Sequence, residues 1–230
     1  VSADRRFLLV DADGRLFNGK RGGSLVQIRP EYDEARERLT LTFPDGGEVT
    51  GETGGGAPFT AGLYGERLET RLVEGALAAA LSEFAGEPLR LLRVVEPASA
   101  VDRGRQGAAT LLSVAALAAL ATHAGAGDRV DARRFRMLVG VDGVEAHAED
   151  AWIGRRVQVG EAIVVPREPV GRCAVTTQNP DTGVPDLDTL RVIGGYRADV
   201  PTVEAIPFGV WGSVEQPGRV ALGDPVRLLG

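Results

Sequence analysis

A single cysteine serves the whole chain, Cys173, within Gly-Arg-Cys-Ala-Val-Thr-Thr-Gln-Asn-Pro-Asp-Thr-Gly at 171–183. The cation before it, Arg172, favours thiolate over thiol. A thiolate is both a nucleophile and a soft metal ligand. Thr176 and Thr177 follow, and then a turn-forming run from Asn179 through Asp181 to Gly183. The plain alternative is a buried structural thiol, because free cysteine is among the most buried residue types. A cysteine hydrolase needs an imidazole base. Only His123 and His147 exist, and no motif joins either to Cys173. His123 falls at the end of a helical run and reads as solvent-facing. His147 sits with Glu145, Glu149 and Asp150 at a spacing that fits no helical zinc motif, so the segment reads as a solvated acidic loop. Two arginine clusters, at 4–6 and 132–136, could grip phosphate bidentately. Ordinary surface charge is the plain reading of each.

Other signatures are missing. No Gly-x-Ser-x-Gly elbow occurs, no G-x-G-x-x-G follows a strand, and the glycine-rich run at 51–62 lacks the Gly-Lys-Ser/Thr of a phosphate loop. One cysteine excludes an intrachain disulfide, an iron–sulfur cluster held by this chain and a cysteine-based structural zinc site.

The elements that must position these groups read as α+β, predominantly β. Strands are predicted over Arg5–Asp11, 15–20, 24–30, 38–43, 48–52 and 89–97. A helix is predicted over 71–86, closed by Gly86 with Pro88 beyond it. The run at 51–62 reads as a loose loop. A polar stretch near 98–108 marks a domain boundary, giving domains 1–98 and 99–230. Beyond it come a helix over 110–125, strands at 135–141, 155–166 and 208–229, and a short helix over 187–197 that ends in two glycines. Short strands at regular spacing suggest barrels.

The chain has 230 residues, 43% of them apolar, a formal net charge of −6 and a pI near 5.1. That acidity argues against nonspecific nucleic-acid binding. The longest apolar run, around 109–125, falls short of the roughly 20 residues of a membrane span and is broken by Ser113 and Thr122. No signal peptide opens the chain, which points to the cytoplasm.

Four segments, in order, resemble MOSC domain proteins (molybdenum cofactor sulfurase C-terminal domain) with the β-barrel domain that usually precedes it: 4–16, 148–162, 171–183 and 207–230. The cysteine segment is the most specific. The resemblance implies an N-terminal MOSC-type β-barrel domain packed on a MOSC β-barrel domain with a few helices. It implies a pterin-bound molybdenum cofactor with Cys173 as the protein ligand to the metal. One thiol then suffices, since the other sulfurs come from the cofactor. Cofactor contacts carry over to Arg6, Asn18, Lys20, Gln106, Ser113, Arg136, Arg172, Thr176, Thr177, Asn179 and Asp181. The family pattern differs at several points. Its usual first strand would precede residue 1, Leu138 stands where an asparagine is usual, Arg105–Ala108 replaces Asp-x-Ser-Pro, and Asn179 replaces an aspartate.

The implied activity is oxo-transfer reduction of N-hydroxylated small molecules. The chain carries no flavin, haem or iron–sulfur signature, so a separate reductase or ferredoxin would supply electrons. Two alternatives stand beside it: a sulfur carrier or cofactor-delivery protein using a Cys173 persulfide, and a non-catalytic β-barrel interaction module.

Overall fold

A computed structural model describes residues 5–63, 66–96 and 107–230. The chain divides into two compact units, residues 1–102 with 180–184, and residues 103–179 with 185–230. The junction at residues 102–103 lies outside the described residues.

The first unit holds two antiparallel sheets. One runs β1 (Phe7–Asp11), β7 (Leu89–Val94), β6 (Glu66–Val73), β5 (Pro58–Leu63). The other runs β2 (Arg29–Asp33), β3 (Arg38–Thr42), β4 (Glu48–Glu52). Helix α1 (Ala76–Ala85) presses Leu77 and Leu81 into a core with Leu39, Leu41, Val73 and Leu91. Gly86 caps it in the left-handed conformation, as its position predicts.

Four sequence expectations need correction here. The helix over 71–86 begins only at Ala76, because residues 71–73 close strand β6. Residues 24–30 are not one strand but a 3-10 turn, Gly23–Gln27, followed by β2. Leu25 and Ile28 both pack on the core, and a spacing of three suits a 3-10 turn rather than a strand. Residues 15–20 are not a strand either: Leu16 makes one isolated bridge to Val10, and the chain then turns. The glycine-rich loop is shorter than expected, because strand β5 already starts at Pro58.

Segment 180–184 reaches the first unit from far along the sequence. Gln27 Nε2 donates to Thr182 O at 3.2 Å. Gly183 has φ +73°, and a Cβ there would lie 2.0 Å from Gly23 O. Steric overlap with backbone and a left-handed φ act together. Gly183→Ala should therefore cost about 2 kcal/mol or more in a denaturation experiment. A loss within about 0.5 kcal/mol would show that this approach is not maintained in solution.

The second unit is built on one six-stranded sheet. Its order is β13 (Val226–Leu228), β10 (Val157–Val159), β11 (Ala162–Gly171), β12 (Pro207–Gln216), β8 (Ala109–Ser113), β9 (Val139–Val141). All pairs are antiparallel except β8 with β9. The register of β11 against β12 shifts near Pro166 and Pro169, where proline removes ladder donors and bulges absorb the change. One core lies on the sheet, around Leu111, Val141, Trp152, Val157 and Val210. A second joins α2 (Val114–Ala124) and α3 (Thr189–Tyr196) through Leu117, Leu120, Phe135, Ile193 and Phe208.

The helix expected over 110–125 begins only at Val114. Residues 110–113 belong to β8, held between β12 and β9. A short apolar run carries no period that separates a buried strand from a buried helix, and the neighbouring strands decide it. The two glycines expected to end the last helix, Gly194 and Gly195, lie inside α3. Among the described residues no helix is long and apolar enough to cross a membrane.

Candidate functional site

Strand β11 ends at Gly171, where the Glu204 carboxylate accepts its N–H at 2.8 Å. The chain then leaves the sheet. Arg172 turns its guanidinium inward, donating from Nε to Phe208 O at 2.9 Å and from its NH1 nitrogen to Phe135 O at 3.1 Å. It also lies over the Phe135 ring, 5.3 Å from the centroid. Cys173 follows with extended backbone and an exposed side chain. The buried structural thiol is thereby set aside.

The 3-10 turn Ala174–Thr177 is tied back onto that cysteine. Both the N–H and the hydroxyl of Thr176 donate to Cys173 O, each at 3.0 Å. With its proton so used, Thr176 Oγ1 accepts from Thr189 Oγ1 at 2.7 Å, which fastens the turn to the start of α3. Thr177 Oγ1 donates to Ala174 O at 2.7 Å. The polar groups around Cys173 thus hold its backbone, while its sulfur faces outward.

Arg134 braces the next stretch. It donates to Thr177 O at 3.2 Å and Gln178 O at 2.7 Å, and pairs with Asp186 at 2.6 Å. Its side chain is 8% exposed. Asn179 donates to Asp186 from the other side at 2.8 Å. Burial alone would raise the Asp186 pKa, but the Asn179 amide and the Arg134 guanidinium outweigh it and hold the carboxyl below its ordinary range. Arg134 belongs to the cluster at 132–136, yet nothing in its neighbours distinguishes it from Arg136. Arg136 closes the 3-10 turn Ala132–Phe135 in a left-handed conformation, exposed, with no side-chain partner among the described residues.

The remaining expected residues fall elsewhere. Ser113 is fully buried, its hydroxyl accepting the His147 N–H at 2.8 Å. Gln106 lies outside the described residues. In the first unit, Arg6 pairs with Glu34 at 2.5 Å, and Asn18 caps a turn by accepting the Lys20 N–H at 3.0 Å. The Lys20 side chain is exposed and has no partner among the described residues. Asp181 is exposed on the 180–184 segment of that unit.

The acidic stretch around His147 is not a solvated loop. Glu149 is 0% exposed and, among the described residues, neither carboxylate oxygen reaches hydrogen-bonding geometry with a partner. His147 Nε2 lies 3.2 Å from the Tyr196 hydroxyl, and His123, exposed as expected, stacks on the Tyr196 ring at 4.1 Å. Arg197 is 5% exposed; it pairs with Asp150 at 2.7 Å and donates to Pro207 O at 2.8 Å. Residues 147–150 form a turn whose charged groups point into the protein. Alternation of charge in the sequence cannot tell inward from outward when the turn is 3-10 and only a few residues long. Among the described residues no group of three or more His, Cys, Asp or Glu could hold a metal ion.

These burials set pH responses of opposite sign. Burial raises the Glu149 pKa above its ordinary 4.5, and the approach of the Ser113 hydroxyl only partly opposes this. The unfolded chain releases this proton first, so Glu149 favours the fold below pH 4.5 and loses that contribution as pH rises through its folded pKa. Glu149→Gln should be more stable than the parent at neutral pH, by about 1 kcal/mol, and equal to it in acid. A variant less stable than the parent at neutral pH yet equal to it in acid would show that the ionised carboxylate is needed. His147 behaves in reverse. Burial, then the Arg197 charge, depress its pKa from 6.5 to about 4. Its contribution is present above pH 6.5 and drains away toward pH 4. The loss is about 2 kcal/mol after discounting for partial solvent screening. His147→Gln should flatten the stability profile across that window, as read by thermal melts.

A family profile described as the MOSC domain matches residues 98–227. Mitochondrial amidoxime-reducing component 1 of Mus musculus is 35% identical over 108 residues, covering 44% of this chain and 31% of that protein. Mitochondrial amidoxime reducing component 2 of Bos taurus is 36% identical over 126 residues, 50% of this chain and 35% of that one. The human component 2 is 38% identical over 105 residues, 40% and 29% respectively. The chain spans about a third of the length of these relatives. A solution structure from Bordetella bronchiseptica aligns over 43% of this chain and 78% of its own at 25% identity, with a TM-score of 0.33.

Proposed function

The chain belongs to the MOSC domain family, and from that premise we propose that it holds a pterin-bound molybdenum cofactor through Cys173 and reduces N-hydroxylated small molecules. The observation that carries this reading is the exposed Cys173 sulfur on a turn that Thr176 and Thr177 close and that Arg172 and Arg134 brace from either side in sequence. A sulfur so presented can give one soft ligand bond without rearrangement of the loop. Arg136, exposed and without a side-chain partner among the described residues, has the chemistry that a phosphate-bearing cofactor needs. Bound there, the cofactor would accept an oxygen atom and pass electrons. The N–O bond of the substrate would break, two electrons and two protons would arrive, and water would leave.

Each residue's part follows from its bonds. Cys173 supplies the sulfur. Thr176 and Thr177 keep the turn closed behind it. Arg172, spent on Phe208 O and Phe135 O, positions the cysteine. Electrons would come from a separate reductase or ferredoxin.

Elemental analysis of the full chain made in a cofactor-producing host tests the reading. Stoichiometric molybdenum, with pterin fluorescence after oxidation, is expected. Metal-free protein from that host would end it. The same exposure of Cys173 also suits a persulfide carrier. Mass spectrometry showing one added sulfur on Cys173 and no bound metal would favour that second reading.

A further inference from the structure

The six-stranded sheet of the second unit has two outer strands, β13 and β9. Both border the same cleft of about 730 Å³, β9 through Gly140 and Val141, β13 through Val226 and Leu228. Its floor is the core itself, for Val141, Trp152 and Val157 line it and are buried core residues. At its mouth stands Leu222, 107% exposed. The sheet thus curls until its two edges face one another across an unfilled seam. Edge strands carry backbone donors and acceptors that a further strand can pair.

Following the pairing through the sheet fixes directions. Four antiparallel steps lead from β13 to β8, and one parallel step leads on to β9. The two edges therefore run the same way, and one strand placed between them can be antiparallel to both. The charges are one-sided. Asp142 and Asp224 line the cleft, and among the described residues no lysine or arginine does. Asp142 follows the C-terminal end of β9 and Asp224 precedes the N-terminal end of β13, so the topology sets the two carboxylates toward opposite ends.

We propose that this seam is a docking site for an extended peptide segment of a partner protein, apolar on its inward face and carrying a basic residue near each end. Backbone pairing supplies binding, and the apolar floor and the two aspartates supply selection. The site is independent of Cys173 and of the cofactor.

The test uses the full chain and a labelled peptide, fluorescein-Gly-Gly-Lys-Val-Thr-Val-Thr-Val-Lys-amide, read by anisotropy and by the change in tryptophan emission as Trp152 is covered. Saturable binding is expected, weakened about tenfold by Asp142→Asn with Asp224→Asn, and similarly by Leu222→Asp. All three positions are exposed or at the rim, and unchanged thermal melts would confirm folding. Cys173→Ser should bind the peptide as the parent does. Absence of binding at about millimolar peptide overturns the proposal. So does equal binding of the peptide with glutamate in place of both lysines. A parent protein that sediments as a dimer, dissociated by Leu222→Asp, would overturn it in favour of a second copy as the occupant.

Discussion

Cys173→Ser protein from a cofactor-producing host should contain no molybdenum and reduce no amidoxime, yet melt within about 2 °C of the parent. The two halves of this expectation come from different facts. The thiol is exposed and packs in no core, so its loss removes little burial. Its carbonyl, not its sulfur, carries the bonds from Thr176 that close the turn. Serine keeps that backbone and offers a hard oxygen in place of soft sulfur. Metal content and activity should therefore fall together to background, while structure is kept. Full metal retention in the serine variant would refute Cys173 as the ligand, and a collapse in melting temperature would mean that the sulfur is structural after all.

The second large effect lies at the ion pair beneath strand β12, and it should be asymmetric. Asp150→Ala leaves the Arg197 guanidinium, 5% exposed, without its counter-charge, whereas Arg197→Leu leaves an Asp150 side chain that is 27% exposed, although its Oδ1 is buried. Stranding a buried charge costs about 3–5 kcal/mol. Replacing the cation by an apolar side chain of similar bulk costs less, about 1–2 kcal/mol, chiefly through the lost bond to Pro207 O. Denaturant titration should rank parent, Arg197→Leu, Asp150→Ala in falling stability. The reverse order would mean that the guanidinium reaches water in solution. Because Pro207 adjoins Phe208, whose carbonyl takes the Arg172 side chain, the damage should also slacken the cysteine turn. Alkylation of Cys173 would report it.

Much of the site was legible because its residues are consecutive. A lone thiol between an arginine and two threonines, followed by an Asn-Pro-Asp-Thr-Gly turn, is a local pattern. Strands β10 and β11 around Gly160-Glu161, β7 after Pro88 and the closing strands from Phe208 were readable for the same reason. What escaped depends on distance along the chain. Ser113 looks like any polar residue ahead of a helix until His147 is brought to it by the fold. Arg134 and Arg136 look alike in sequence, yet one is clamped to Gln178 O and the other is exposed, since a 3-10 turn sends alternate side chains to different sides. Glu149 reads as a solvated charge because nothing local records that its 3-10 turn would pack on β8, β11 and β12. The inward Arg172 guanidinium likewise depends on carbonyls at 135 and 208.

The excursion at 180–184 bears on how this polypeptide can be inherited and dissected. An isolated bridge between Gln178 and Pro185 closes its base, and its residues count with the first unit although the MOSC match runs straight through them. A gene fragment stopping at codon 102 would encode a first unit lacking its last piece. The complementary fragment would carry five residues severed from the glycine contact they make at residue 23. Recombination that shuffles either half alone is thus penalised, and the pair should be transmitted as one heritable block.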